Sequence, residues 1–269
     1  MTGWDKDQFV HHWKYYPVPA RPSPSEIDFI RKRIIEKGKD STVLILGSTP
    51  EYRNMCGEIG VKVTCFDFLK YNYEYLSDDV KHKPEEKFVE GNWTDKAIKE
   101  KFDFILGDHV IDVIKKQDAE KLLVNCSKML KKDGMFILRT YVREKGEKIT
   151  PEQALEIYRK KQRKNKSINF LSYTLRNFHL SAYDFEKDYL VTRDVWKAVK
   201  DLHDKGLVSD EELELYRKID VSNRDFQFFI PLKEWLEDIF SGIFSIAEVY
   251  NGTEEYINNQ IPMHVLTLK

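Results

Sequence analysis

The chain has 269 residues, enough for one large domain or two modest ones, and 41% hydrophobic and 13% aromatic residues suit a folded globular protein. Its 44 Lys and Arg against 45 Asp and Glu leave a formal net charge of -1, which argues against a dedicated nucleic-acid binder. Only 12 Gly and 9 Pro exclude fibrous and low-complexity architectures.

Three cysteines, Cys56, Cys65 and Cys126, form no C-x-x-C pair and join no cluster at zinc-ligand spacing, so neither a disulfide scaffold nor a metal site is expected. The first residues mix charge with aromatics, and no stretch approaches 18 uninterrupted apolar residues. The expectation is a reduced cytoplasmic protein with no membrane partner.

Residues 1–24 carry Trp4, Phe9, Trp13, Tyr15 and Tyr16, then Pro17, Pro19, Pro22 and Pro24, and read as an aromatic arm. A helix start follows at Ser23-Pro24-Ser25-Glu26, a capping box with proline in the first turn; Ile27, Ile30, Ile34 and Ile35 follow at helical spacing. From Thr42 the period changes. Short apolar runs at Val43–Gly47, Lys62–Asp67, Lys87–Glu90, Phe102–Leu106 and Met135–Leu138 alternate with helix-like stretches such as Pro50–Ile59 and Asp118–Leu130. Such alternation predicts βαβ units and a doubly wound, Rossmann-like, mostly parallel sheet.

Residues 25–142 are therefore read as a cofactor-binding core. After Tyr141 the pattern breaks, and capping boxes at Thr150 and Ser209 mark residues 143–224 as a helical insertion or cap. Residues 225–269 are expected to return to the core sheet, through an apolar run at Phe226–Ile230, a helix opened by Pro231, and runs at Phe244–Tyr250 and His264–Leu268 that could pair antiparallel. Seven strands, the last antiparallel, are the fold expectation.

In open α/β sheets ligands bind outside the carboxyl ends of the strands. The first such loop, Gly47-Ser48-Thr49-Pro50-Glu51, lacks the glycines that a dinucleotide pyrophosphate requires; Pro50 has no N–H, and Glu51 puts a carboxylate where a phosphate would sit. An adenosine with a zwitterionic amino-acid tail would tolerate it. Asp67, ending the second run, can accept from both hydroxyls of a ribose, which suits NAD and adenosyl cofactors equally; it could also merely cap the helix after Phe68.

The succession VLILGSTPE (Val43–Glu51), VTCFDF (Val63–Phe68), VEGNWTD (Val89–Asp95) and FDFILGDHVIDVI (Phe102–Ile114) resembles the class I S-adenosylmethionine-dependent methyltransferases over Val43–Tyr141. The resemblance implies S-adenosyl-L-methionine as cofactor, with Gly47, Ser48, Thr49 and Glu51 against its methionine part. Asp67 and the adjoining Phe68 would hold the ribose side, Asn92 and Trp93 the adenine, and Gly107, Asp108 and His109 would border the transferred methyl. Two departures stand out: Ile45 occupies the place of an acid in V-L-D-L-G, leaving Glu51 or Asp108 as partner of the ammonium, and Asn92 replaces the Asp of G-D-W, keeping an acceptor oxygen without charge.

His109, with Asp108, is the candidate catalytic group: it could take a proton from the acceptor, or be a packed histidine at a strand end. Tyr15, Tyr16, Arg21, Arg139 and Tyr141 are candidates to close over the substrate, though arm aromatics also commonly cover apolar surface. The basic run Arg159–Lys166 could meet an RNA, but it reads first as a solvated helix face diluted by Glu152 and Glu156. The expected function is methyl transfer to an O or N atom of a small-molecule acceptor. The alternatives are a methyltransferase-fold binding protein without turnover, and an RNA methyltransferase. A nicotinamide enzyme would need the missing glycines. The sequence carries no signal for acceptor identity or oligomeric state.

Overall fold

Why the first helix begins where it does is visible in its cap. In α1 (Pro24–Lys37) the Ser23 hydroxyl accepts from the Glu26 N–H at 3.2 Å while the Glu26 carboxylate accepts from Ser23 N at 2.7 Å. The computed structural model describes residues 10–219, 225–254 and 260–269; Trp4, Phe9 and Arg224 of the sequence reading lie outside these. In chain order α1 leads to β1 (Thr42–Leu46), α2 (Pro50–Ile59), β2 (Lys62–Asp67), α3 (Lys70–Leu76), β3 (Glu86–Glu90), β4 (Phe102–Asp108), α4 (Ala119–Met129) and β5 (Leu130–Arg139). There follow α5 (Pro151–Lys164), α6 (Phe170–Ser181), β6 (Leu190–Val191), α7 (Thr192–Asp204), α8 (Asp210–Lys218) and β7 (Gln227–Phe228). The chain ends with α9 (Lys233–Ile243), β8 (Phe244–Tyr250) and β9 (Met263–Leu268).

The chain divides into two compact units, one of Met1–Arg21 and Arg143–Ile230, the other of Pro22–Val142 and Pro231–Lys269. The second, the sheet unit, holds a seven-stranded sheet in the order β3-β2-β1-β4-β5-β9-β8. Strands β1 to β5 pair in parallel, and β9 runs antiparallel to both β5 and β8, the expected seven-stranded architecture. Side chains alternate across the sheet. Val43, Ile45, Cys65, Phe104, Leu106 and Ile137 share one core with Phe29, Ile30 and Ile34 of α1 and Tyr52, Met55 and Cys56 of α2. Phe29 takes the inward place that the spacing gave to Ile35, which is 58% exposed.

The other unit is helical, with a small antiparallel pair of β6 and β7. The Thr150 and Ser209 capping boxes form there as expected. One expectation is corrected: Phe226–Ile230 does not return to the core sheet, because Phe228 pairs with Leu190 and Gln227 with Val191 within the helical unit. A two-residue strand carries too little pattern to name its partner. Among the described residues no helix is long and apolar enough to cross a membrane.

Candidate cofactor and methyl-transfer site

Because β1, β2 and β4 are parallel and in register, Leu46, Phe66 and Gly107 end side by side and the loops after them share one edge of the sheet. Gly47 turns the chain at φ +95°, a conformation L side chains rarely adopt, and its N–H donates to Phe66 O at 2.8 Å. Ser48 Oγ donates to Asp67 Oδ2 at 3.1 Å, and Phe68 N donates to Asp67 Oδ1 at 2.8 Å. The Leu69 N–H also donates to this carboxylate, so of its roughly four acceptor positions one remains for a further donor. Burial pushes its carboxyl up to about 6, against the opposing pull of Ser48 and the Phe68 and Leu69 amides. Asp67 does not cap a helix; Leu69 holds that place before α3.

The turn from Thr49 into α2 makes no side-chain cap, so the first amides of that helix are not taken by the Thr49 hydroxyl. Glu51 lies half-buried in the same turn. Trp93 forms a floor beside it: the indole N–H donates to Phe66 O at 2.5 Å, Asn125 holds the Trp93 carbonyl at 2.8 Å, and the ring edge stands 3.8 Å from where a Gly47 Cβ would be. These features fit an adenosyl group: a turn without Cβ, a buried carboxylate with an open acceptor position, and helix amides not taken by a side-chain cap.

The Asn92 expectation is corrected. Its Oδ1 already accepts from Thr94 N at 3.1 Å and Thr94 Oγ1 at 3.0 Å, and its amide nitrogen donates to Asp95. The oxygen assigned to adenine thus closes a local turn instead. Gly107 is explained by packing: a Cβ there would stand 2.9 Å from Val110 Cγ2 and 3.3 Å from Leu138 Cβ.

At the ends of β4 and β5 the charged side chains collect into one buried network. Arg139, 0% exposed, donates from Nε to Asp108 Oδ1 at 2.5 Å and from Nη1 to Glu26 Oε2 at 2.9 Å, and its Nη2 lies 3.1 Å from His109 Nε2. Burial works against its charge, but Asp108 and Glu26 outweigh it and hold the guanidinium above its usual range. His109 Nδ1 meets Asp112 Oδ2, whose carboxyl burial pushes up to about 6. The His109 ring packs on Tyr141, centroids 4.6 Å apart.

The substrate-contact expectation is therefore corrected for Arg139 and Tyr141: both are buried, Arg139 inside the network and Tyr141 against His109. Tyr15, Tyr16 and Arg21 belong to the helical unit, where Tyr16 Oη donates to Ile219 O and Tyr15 is 42% exposed. Of the two candidates for the ammonium, Asp108 already holds Arg139 through Oδ1, whereas Glu51 lies in the first turn of α2. Sequence reasoning missed Glu26 and Asp112. Glu26 was legible only as a cap, since nothing local marks a helix-start carboxylate that also meets a distant strand end.

A sequence model of the family described as "Methyltransferase domain" matches residues 46–138, covering the strand ends just described. No curated protein matches the chain. Among solved structures, a putative Zn-dependent alcohol dehydrogenase from Rhodobacter sphaeroides superposes with a TM-score of 0.60 at 16% identity, over 99% of this chain and 100% of that one. A Pyrococcus horikoshii protein gives 0.56 at 14%, over 90% and 88%. A SAM-dependent methyltransferase from Methanosarcina mazei gives 0.51 at 12%, over 92% and 99%. At these identities the likeness is one of fold. Residues 46–138 thus match a methyltransferase domain, and the sheet that carries them has the fold these structures share.

Proposed function

We propose that the enzyme methylates an oxygen or nitrogen atom of a small-molecule acceptor, with Asp67 holding the ribose. Gly47, Ser48, Thr49 and Glu51 line the methionine part, Phe68 and Trp93 flank the adenosine, and Gly107, Asp108 and His109 border the methyl. The observation that carries this reading is Asp67: a buried carboxylate, anchored by Ser48, Phe68 and Leu69, with an acceptor position left at the edge where the strands end.

S-adenosylmethionine supplies a methyl group already activated by a sulfonium. The chain's own task is then to bind and orient. The uncapped α2 amides suit a carboxylate and Glu51 an ammonium, fixing the tail so that the methyl has one direction to leave. In-line placement of this kind contributes on the order of 7–11 kcal/mol to such a reaction. The near-neutral charge balance favours a small acceptor over RNA.

The test has two arms. Calorimetric titration with S-adenosylhomocysteine and, separately, NADH should give saturable binding for the first alone. Methyl-labelled cofactor incubated with a small-molecule extract and with total RNA should leave label in the extract; label in RNA would overturn the acceptor class.

A further inference from the structure

One buried cation at the strand ends has no place in that reading. A guanidinium that only filled space would be better replaced by an apolar side chain, because desolvating a charge is costly. Arg139 instead directs its nitrogens at Asp108, Glu26 and His109. The contact with His109 is the informative one. A guanidinium has donors and no acceptor, so Nε2 of the imidazole can only accept from it. The single proton of a neutral ring then lies on Nδ1 and points to Asp112 Oδ2.

Other contacts fix the same arrangement. His109 N donates to Arg139 O at 3.0 Å and Asp112 N donates to His109 O at 3.1 Å, closing a turn in which His109 takes φ +54°. A non-glycine residue persists in that region only where its surroundings hold it. The Tyr141 ring covers one face of the imidazole, and Asp108 Oδ1 stands 3.8 Å from Nε2. Asp112 also accepts from Tyr141 N at 3.2 Å, so the residue that orients Nδ1 is itself tied to the end of β5.

We propose that Arg139 is a positioning residue that holds His109 as the Nδ1–H tautomer with its Nε2 lone pair engaged, so that His109 shapes the site without accepting the acceptor's proton. The proposal rests on the methyl-transfer reading of this edge. In the reaction the acceptor lone pair forms the new bond to the methyl carbon, the carbon–sulfur bond breaks with its electron pair going to sulfur, and any acceptor proton passes to water rather than to Nε2.

The test is imidazole ¹⁵N NMR on the full chain labelled at its seven histidines, with His109 assigned from the signal lost in His109→Asn. The wild-type signal should show a neutral Nδ1–H ring that does not titrate between pH 6 and 8. Asp112→Asn should keep that tautomer, because Arg139 still requires an acceptor at Nε2. In Arg139→Gln the signal should begin to titrate within about one unit of 6.5, and Arg139→Lys should restore much of the wild-type behaviour.

A wild-type His109 that titrates in that range, or carries its proton on Nε2, overturns the proposal even if the Arg139 variants fail to fold. Titration of the wild type with S-adenosylhomocysteine separates the two levels. Loss of binding there removes the methyl-transfer reading, whereas intact binding with a titrating His109 removes only the role given to Arg139.

Discussion

Arg143 Nε donates to the carbonyl of Ile230 at 2.9 Å, so one guanidinium joins the first and last residues of the long segment that builds the helical unit. The same side chain donates from Nη2 to Asp188 Oδ1 at 2.8 Å, and Tyr183 Oη donates to that oxygen at 2.8 Å. Asp188 sits at φ +60°, held by these partners and by its N–H on Asp184 O. Arg143→Ala should therefore destabilise the helical unit by about 1–3 kcal/mol, from lost charge-assisted bonds and a carbonyl left unpaired. Arg143→Lys, which keeps charge but not the fork, should fall between. Amide exchange should quicken within residues 143–230; if it quickens equally in β1 and β4, the effect is not local and the assignment fails.

With Asp67 in the proposed ribose-holding role, cofactor binding should depend on pH. Its folded-state value of about 6 lies above the ordinary 3.8, so below pH 6 the ligand-free protein holds a proton there. Hydroxyl donors from a ribose favour the carboxylate, and binding in acid must expel that proton. Affinity for S-adenosylhomocysteine should fall by up to about tenfold per pH unit below 6. Asp67→Asn should flatten that slope and cost about 1.5–3 kcal/mol for each lost charge-assisted bond. Since a raised carboxyl opposes folding above its folded value, the same variant should be no less stable than wild type at pH 7 without ligand. An Asp67→Asn protein that binds as tightly as wild type at pH 7 would take the residue out of the site.

These assignments were legible in the sequence to different depths. Strands β1, β2 and β4 were readable because both their faces are buried, which makes near-continuous apolar runs, and Ser23, Thr150 and Ser209 announced their helices through local cap chemistry. Asp67 was readable from its place at a strand end. Arg139 was not: a cation after an apolar strand looks solvent-facing, and only the fold brings Glu26 and Asp108 around it. Phe226–Ile230 failed for a related reason, since an apolar run states that it is buried but not against what.

Gly47 and Gly107 are both required, for different physical reasons that a double substitution can separate. Gly47→Ala meets only an ordinary van der Waals contact, 3.8 Å from Trp93, but must adopt φ +95°, so backbone strain of about 1–2 kcal/mol is expected, with weaker cofactor binding. Gly107→Ala has no such strain and collides with Val110 instead, an overpacking cost of about 1–3 kcal/mol. Val110→Ala should recover much of the stability lost in Gly107→Ala, measured by urea unfolding. Trimming Trp93 should recover nothing in Gly47→Ala; recovery there would mean that space, not φ, fixes the glycine.

His264 makes acid stability readable at a single position. It lies on β9 between Leu138 and Val249, faces α9 through Phe240, and is 0% exposed. Among the described residues neither ring nitrogen has a hydrogen-bond partner; Glu237 Oε1 stands 3.9 Å from Nε2, and burial, helped by Lys233, pushes the imidazole down to about 4. Between that value and the ordinary 6.5 the unfolded chain takes up a proton the folded chain refuses, so stability is lost as pH falls through this window, by on the order of 3 kcal/mol at its foot. Asp67 and Asp112, raised to about 6, act with the opposite sign over part of the same range. The readout is accordingly the difference between wild type and His264→Phe, which should be small at pH 7.5 and widen in favour of the variant at pH 4.5. Parallel urea midpoints at the two pH values would show that His264 is not the group that titrates.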